Sequence, residues 1–187
     1  MALFNAPKDV TIDGFFKETV PKQFAELMKG KSFAGMEGKD FSLQFDVGGN
    51  KHCLLIKGGS NLEMVAGGVA KPILTICLSE GDFRKAITGQ AEGVIDRFSD
   101  PFQIADINIF NTLLATKGRL NVELDGGAMK FSMVFNGEPS PEASIKLSLA
   151  DWVAMQKKET NGQNLFMAGK MQFDGDVVFL MSLNNLL

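Results

Sequence analysis

The chain has no tyrosine, one tryptophan (Trp152), one histidine (His52) and two cysteines, Cys53 and Cys77. Each shortage closes off some chemistry. One histidine and two separated cysteines cannot furnish a zinc site of the usual ligand type. His52 and Cys53 are adjacent and resemble a thiol–base pair, but in a strand neighbouring side chains point to opposite faces. No catalytic role is therefore expected of them. Both cysteines sit in apolar runs, Cys53-Leu54-Leu55-Ile56 and Ile76-Cys77-Leu78, which predicts buried, reduced thiols. No dinucleotide-binding glycine motif or phosphate loop occurs. Asp174-Gly175-Asp176 lacks the rest of a calcium loop and is expected to be a tight turn. Asp46 and Asp125 also sit beside turn residues, where solvated carboxylates are expected. No catalytic residue, metal or cofactor is expected, and the chain is read as a non-enzyme.

Basic clusters are missing too. The longest is Lys157-Lys158, and the net charge is −3, so the electrostatic footprint of a nucleic-acid binder is absent. No apolar run reaches the roughly 18 residues of a membrane span. The start, Met1 to Pro7, lacks the basic and apolar regions of a signal peptide, and the last residues are no peroxisomal address. A cytoplasmic location is the expectation.

What is present is apolar in an uncommon way. Among 187 residues are 16 phenylalanines and 10 methionines, and 45% of the chain is hydrophobic. Phe and Met carry no strong polar handle, and Met adapts its shape. They suit either a tightly packed core or the lining of a cavity.

The sequence also reads as doubled at an offset of 79. Phe41-Ser-Leu-Gln-Phe-Asp46 aligns with Leu120-Asn-Val-Glu-Leu-Asp125, each alternating apolar and polar residues as half-buried strands do. Turn residues follow, Val47 to Asn50 and Gly126 to Ala128, and then second strands, the later one Phe131 to Phe135. Ile73–Leu78 parallels Ala143–Leu147, and each leads into a helix start of the form Ser-x-x-Asp, at Ser79/Asp82 and Ser148/Asp151. The Gly pairs 48–49, 58–59 and 67–68 read as turns or bulges. The hairpins 41–58 and 120–137 are expected to be related by an approximate two-fold axis. A helical segment Phe15 to Met28 precedes the first copy, with an apolar stripe of Phe16, Val20, Phe24, Leu27 and Met28. Pro21 should kink it or begin a second helix. A second helical segment, Phe102 to Ala115, closes copy one and opens copy two. The division drawn is 1–116 and 117–187, packed as one globular unit.

The closing third carries a resemblance. Leu165-Phe166-Met167-Ala168-Gly169-Lys170 leads into an alternating strand, Asp174-Gly175-Asp176, and an apolar helix from Val177 to Leu187. This resembles the ending of the sterol carrier protein 2 family, and the segment Asp151-Trp152-Val153 with Gly162 is similar as well. The likeness is good over 119–187 and weak over 12–115. It implies an α/β (α+β) fold, with helices over one face of a mostly antiparallel sheet. It also implies a tunnel for sterols, fatty acids or acyl-CoA between the layers. The departure is that family domains hold one copy, whereas this chain suggests two compressed ones.

The function so implied is that of a non-catalytic carrier of an apolar, lipid-like molecule. Expected lining residues are Phe131, Met133 and Phe135 of the second hairpin, Trp152 nearby, and Phe166, Met167, Met181 and Leu183 of the closing segment. The alternative is an accessory protein that docks a partner enzyme and holds no ligand. A transient contact with a membrane surface or a partner enzyme is left open by both; nucleic acid is not a partner in either.

Overall fold

The computed structural model describes residues 6–31, 33–91, 93–94, 100, 105–125, 129–183 and 186. Among them an α/β architecture is built on one eight-stranded sheet. Its strands are β1 (Asp40–Val47), β2 (Asn50–Lys57), β3 (Asn61–Ala66), β4 (Leu74–Leu78), β5 (Gly118–Leu124), β6 (Met129–Phe135), β7 (Glu142–Leu147) and β8 (Met171–Gly175). They lie in the order β3-β2-β1-β4-β6-β5-β7-β8. Neighbours are antiparallel except β1–β4 and β5–β7, which are parallel.

Period-two alternation sorts the side chains onto two faces. Register aligns Leu43, Leu54, Met64 and Leu74 on one face of the first half, and Met133, Leu120 and Ala143 on the same face of the second. That face is buried from Leu54 to Leu147. The other face carries Ser42, Gln44, Thr75, Arg119, Asn121, Glu123, Lys130 and Lys146, and there Glu123 bridges Lys130 at 2.8 Å and Lys146 at 3.1 Å.

The helices supply the second layer, on the apolar face: α1 (Ile12–Gly14), α2 (Val20–Met28), α3 (Glu80–Ile87), α4 (Ile107–Ala115), α5 (Leu149–Gln156), α6 (Gly162–Met167) and α7 (Val177–Ser182). Between α1 and α2 runs a π turn, Phe15–Thr19, closed by the Val20 N–H bonding to the Phe15 carbonyl. Pro21 then falls in the first turn of α2, where its missing N–H costs nothing. The helix continues past the proline with one widened turn. Phe16 and Phe83 reach the sheet, packing against each other at 5.3 Å and against Phe45 at 5.5 and 6.0 Å. In the second half Trp152 meets Phe131 edge-on at 5.4 Å, and Phe179 meets Phe135 at 6.2 Å.

Both Ser-x-x-Asp starts form as expected. The hydroxyls of Ser79 and Ser148 accept from the N–H of Asp82 and Asp151 at 3.1 and 3.0 Å, and donate to the same residues' carboxylates. Each half holds a hairpin and a strand parallel to the hairpin's first strand, then a capped helix, and in the first half β3 intervenes between hairpin and parallel strand. The expected two-fold axis does not hold. The triplets β2-β1-β4 and β6-β5-β7 follow one another across the sheet in the same sense. Because β1, β4, β5 and β7 all run in one direction, the two triplets point the same way along the sheet, which a two-fold axis would not give. The antiparallel β4–β6 pair joins them, since an edge left open by the first triplet accepts the second. The proposed division near 116 falls between α4 and β5, inside this one sheet. The turn at Gly126 to Ala128, the start of the segment Phe102 to Ala115 and the end of the segment Val177 to Leu187 lie outside the described residues.

His52 points to the apolar face and stacks on Phe16, with ring centroids 4.3 Å apart. Its neighbour Cys53 is buried, and its position in β2 places it on the opposite face, beside Gln44. Burial pushes the Cys53 thiol up to about 11. Burial also lowers the His52 pKa, with Asp13 pulling it up and Lys17 pushing it down. The fold therefore holds the neutral ring. Stability from this group is complete above the free value of 6.5 and is lost as pH falls from there through the lowered native value. The thermal midpoint should drop between pH 7 and pH 5.5 in the wild type, and drop less in His52→Leu. Equal pH dependence in the two proteins would remove His52 as the titrating group.

Candidate functional site

A groove of about 660 Å³ opens beside the last strand. Its floor is Ile145 of β7 and Met171 and Phe173 of β8; one wall is Val177, Leu180 and Met181 of α7, and the other is Met155 of α5 and Phe166 of α6. The rim is polar, formed by residues 158–161 and by Gln163 and Asn164.

Local structure explains why the groove exists. Helix α7 is fixed at its start by Asp176, whose carboxylate accepts from the Phe179 N–H at 2.8 Å. Phe179 then plugs into the space above Gly118. A Cβ at Gly118 would lie 2.7 Å from the Phe179 ring and 2.5 Å from the Pro141 carbonyl, and φ there is +128°, so glycine alone fits. The anchored face of α7 is thus Phe179 and Leu183, with Leu180 half-buried beside them, while Val177, Val178 and Met181 stand exposed. Helix α6 is capped by Asn161, which accepts from the Asn164 N–H at 2.9 Å. It holds Phe166 edge-on to Phe173 at 5.1 Å.

Several large apolar groups here face solvent: Phe166 is 50% exposed, Phe173 37%, Met181 64%, and Val178 and Met167 76% each. Phe166, Phe173 and Met181 share the groove lining, and clustered exposed apolar surface of this kind marks a contact site. Of the expected lining residues, Phe166 and Met181 border the groove. Met167 lies on α6 next to the groove and points to solvent. Phe131, Met133, Phe135, Trp152 and Leu183 are buried in the core between sheet and helices. Trp152 donates its indole N–H to the Val94 carbonyl at 2.9 Å, one helical turn from Met155. The groove also uses Met155, Phe173, Val177 and Leu180, which the sequence reading did not single out. Phe173 had a readable signal, as the apolar member of an alternating strand, whereas the rim at 158–164 had none beyond loop polarity.

The opposite, polar face of the sheet holds a shallower hollow around Asn121, Glu123, Lys130, Ser132 and Lys146. Glu123 pairs there with both Lys130 and Lys146. Among the described residues no cluster of three or more His, Cys, Asp or Glu could hold a metal ion. No described helix is long and apolar enough to cross a membrane.

Residues 103–187 match the SCP-2 sterol transfer family. The groove falls wholly within that stretch. Among solved structures, sterol carrier protein 2 like 2 from Aedes aegypti is similar at 10% identity, over 91% of this chain and 94% of that one, with a TM-score of 0.24. At that score the architecture rests on the strand order of this chain. The comparison with curated proteins returned no match.

Proposed function

We propose that the chain is a non-catalytic carrier that seats an amphipathic lipid in the groove. The tail lies against Ile145, Met155, Phe166, Phe173 and Leu180, and the head lies at the rim beside Lys158 and the Asn161 and Asn164 amides. The observation that carries this reading is an apolar groove of ligand size, about 660 Å³, inside the stretch that matches the SCP-2 sterol transfer family. Small-molecule sites span roughly 300–1,000 Å³ and combine apolar walls with a few polar groups. Energy permits it. Burying about 16 methylenes at ~0.8 kcal/mol each gives roughly 13 kcal/mol gross, against about 4–15 kcal/mol of association and ordering cost.

Organic extraction of the purified protein followed by mass spectrometry tests the reading, together with fatty-acid titration that follows displacement of a hydrophobic dye. Stoichiometric lipid in the extract and dye release are expected. A lipid-free extract with no dye release would replace the carrier with the accessory-protein reading, whose support is the apolar surface around the groove mouth.

A further inference from the structure

The sheet ends on one side at β8, and among the described residues no strand pairs with its outer edge. Exposed strand edges are ordinarily blunted, since unpaired peptide groups template further pairing. All of β8 beyond Met171 is exposed. Its pairing with β7 fixes which peptide groups are already used. The Asp176 N–H donates to the Glu142 carbonyl at 2.8 Å, and register sets Asp174 opposite Ser144 and Gln172 opposite Lys146. Hydrogen-bonded pairs alternate with non-bonded ones in an antiparallel ladder. Gln172 and Asp174 therefore turn their peptide groups toward β7, and Met171, Phe173 and Gly175 turn theirs to the open edge.

We infer that this edge pairs with the same edge of a second copy of the chain, antiparallel and centred on Phe173. A two-fold axis through Phe173 satisfies the outward peptide groups of both strands, because Met171, Phe173 and Gly175 face the partner's Gly175, Phe173 and Met171. Gln172 then lies opposite the partner's Asp174, and Lys170 opposite the partner's Asp176, an ion pair that symmetry makes twice. The two alternative registers are worse. Centring on Gly175 sets Asp174 against the partner's Asp176, like charges that repel, and centring on Met171 shortens the overlap. Lys170 is free to turn to the partner, since its present contact with Asp151 is long, at 3.5 Å.

The same axis brings together the exposed apolar groups next to the strand, Phe173, Val177, Val178 and Met181. An interface of this type is isologous and closes at two copies. It places the partner's Phe173 at the groove mouth, so each copy helps cover the other's groove. The pairing does not depend on what occupies the groove.

Sedimentation velocity of the intact chain over a concentration series, with and without phosphatidylcholine vesicles, tests this. The wild type should pass from the 20.3 kDa monomer to twice that mass. Phe173→Lys sets two ammonium groups on the axis and should remain monomeric. Lys170→Glu lies off the groove and should raise the dimer Kd about tenfold or more by opposing the partner's Asp176. Circular dichroism establishes that both variants fold. A wild type that stays monomeric throughout overturns the inference. So does a dimer that neither substitution weakens, or a monomer that sediments with vesicles unless Phe173 is changed, which would make a lipid surface the occupant of this patch.

Discussion

Replacing Trp152 with alanine is expected to lower the unfolding free energy by about 3–5 kcal/mol. Whole domains are stable by only about 5–15 kcal/mol, so this one change threatens the fold. The indole is fully buried. It packs edge-on against Phe131 and adds a side-chain tie between the two halves to the β4–β6 pairing, through its hydrogen bond to the Val94 carbonyl. The backbone beside that bond is close, since a Cβ at Gly93 would stand 3.2 Å from Val153. Two effects therefore add: a cavity on the apolar face of the sheet, and a buried carbonyl left without its donor. Trp152→Phe separates them. It keeps most of the ring volume and loses the N–H, and should cost about 1–3 kcal/mol, the range for leaving a buried polar group unpaired. Denaturant unfolding followed by far-ultraviolet circular dichroism measures both, because the only tryptophan is absent from each variant. A loss below about 1 kcal/mol for Trp152→Ala would mean that the indole does not hold the halves together.

What was legible in the sequence follows from which forces are local. Strand β5 alternates buried and partly exposed residues without a break, and the capping serines find partners three residues on, so both could be read from spacing. Helices over one face of a mostly antiparallel sheet came from the family resemblance and are what the strand order and aromatic contacts contain. Strand β3 is hardly legible from local pattern. Its apolar members Leu62 and Met64 are only partly buried at the sheet's other edge, and glycine pairs bracket it, so its alternation is weak. The relation between the halves was misread because it depends on how β4 meets β6, a contact between residues some sixty positions apart that no local pattern encodes. The site was legible in region and only partly in residues. Apolar periodicity tells which side chains leave water, but not whether a helix later covers them. Met133 and Met181 look alike in sequence. One is sealed beneath the helices, and the other stands free because Phe179 and Leu183 anchor the opposite side of α7.

That distinction makes Gly162, and not Met133, the place to narrow the groove. A large side chain at Met133 would overpack a sealed core and test stability alone. Gly162 opens α6 and borders the groove, and its φ is not in the left-handed region. A Cβ there would meet the Met171 methyl at 3.5 Å and the Met155 sulfur at 3.9 Å, ordinary contacts that displace nothing. Gly162→Leu is thus expected to fold with stability within about 1 kcal/mol of the wild type, since glycine is a poor helix former to begin with. The added side chain projects between Met155 and Met171 and takes space a lipid tail would use. Displacing about four methylenes at ~0.8 kcal/mol each removes roughly 3 kcal/mol, or about two orders of magnitude in Kd, for a long-chain fatty acid. A short-chain fatty acid that never reaches this part of the groove should lose far less. The measurement is paired titration of both acids against wild type and Gly162→Leu by dye displacement. Equal loss for the two chain lengths would place the tail elsewhere. An unchanged Kd for the long acid in a folded variant would show that lipid binds outside the groove.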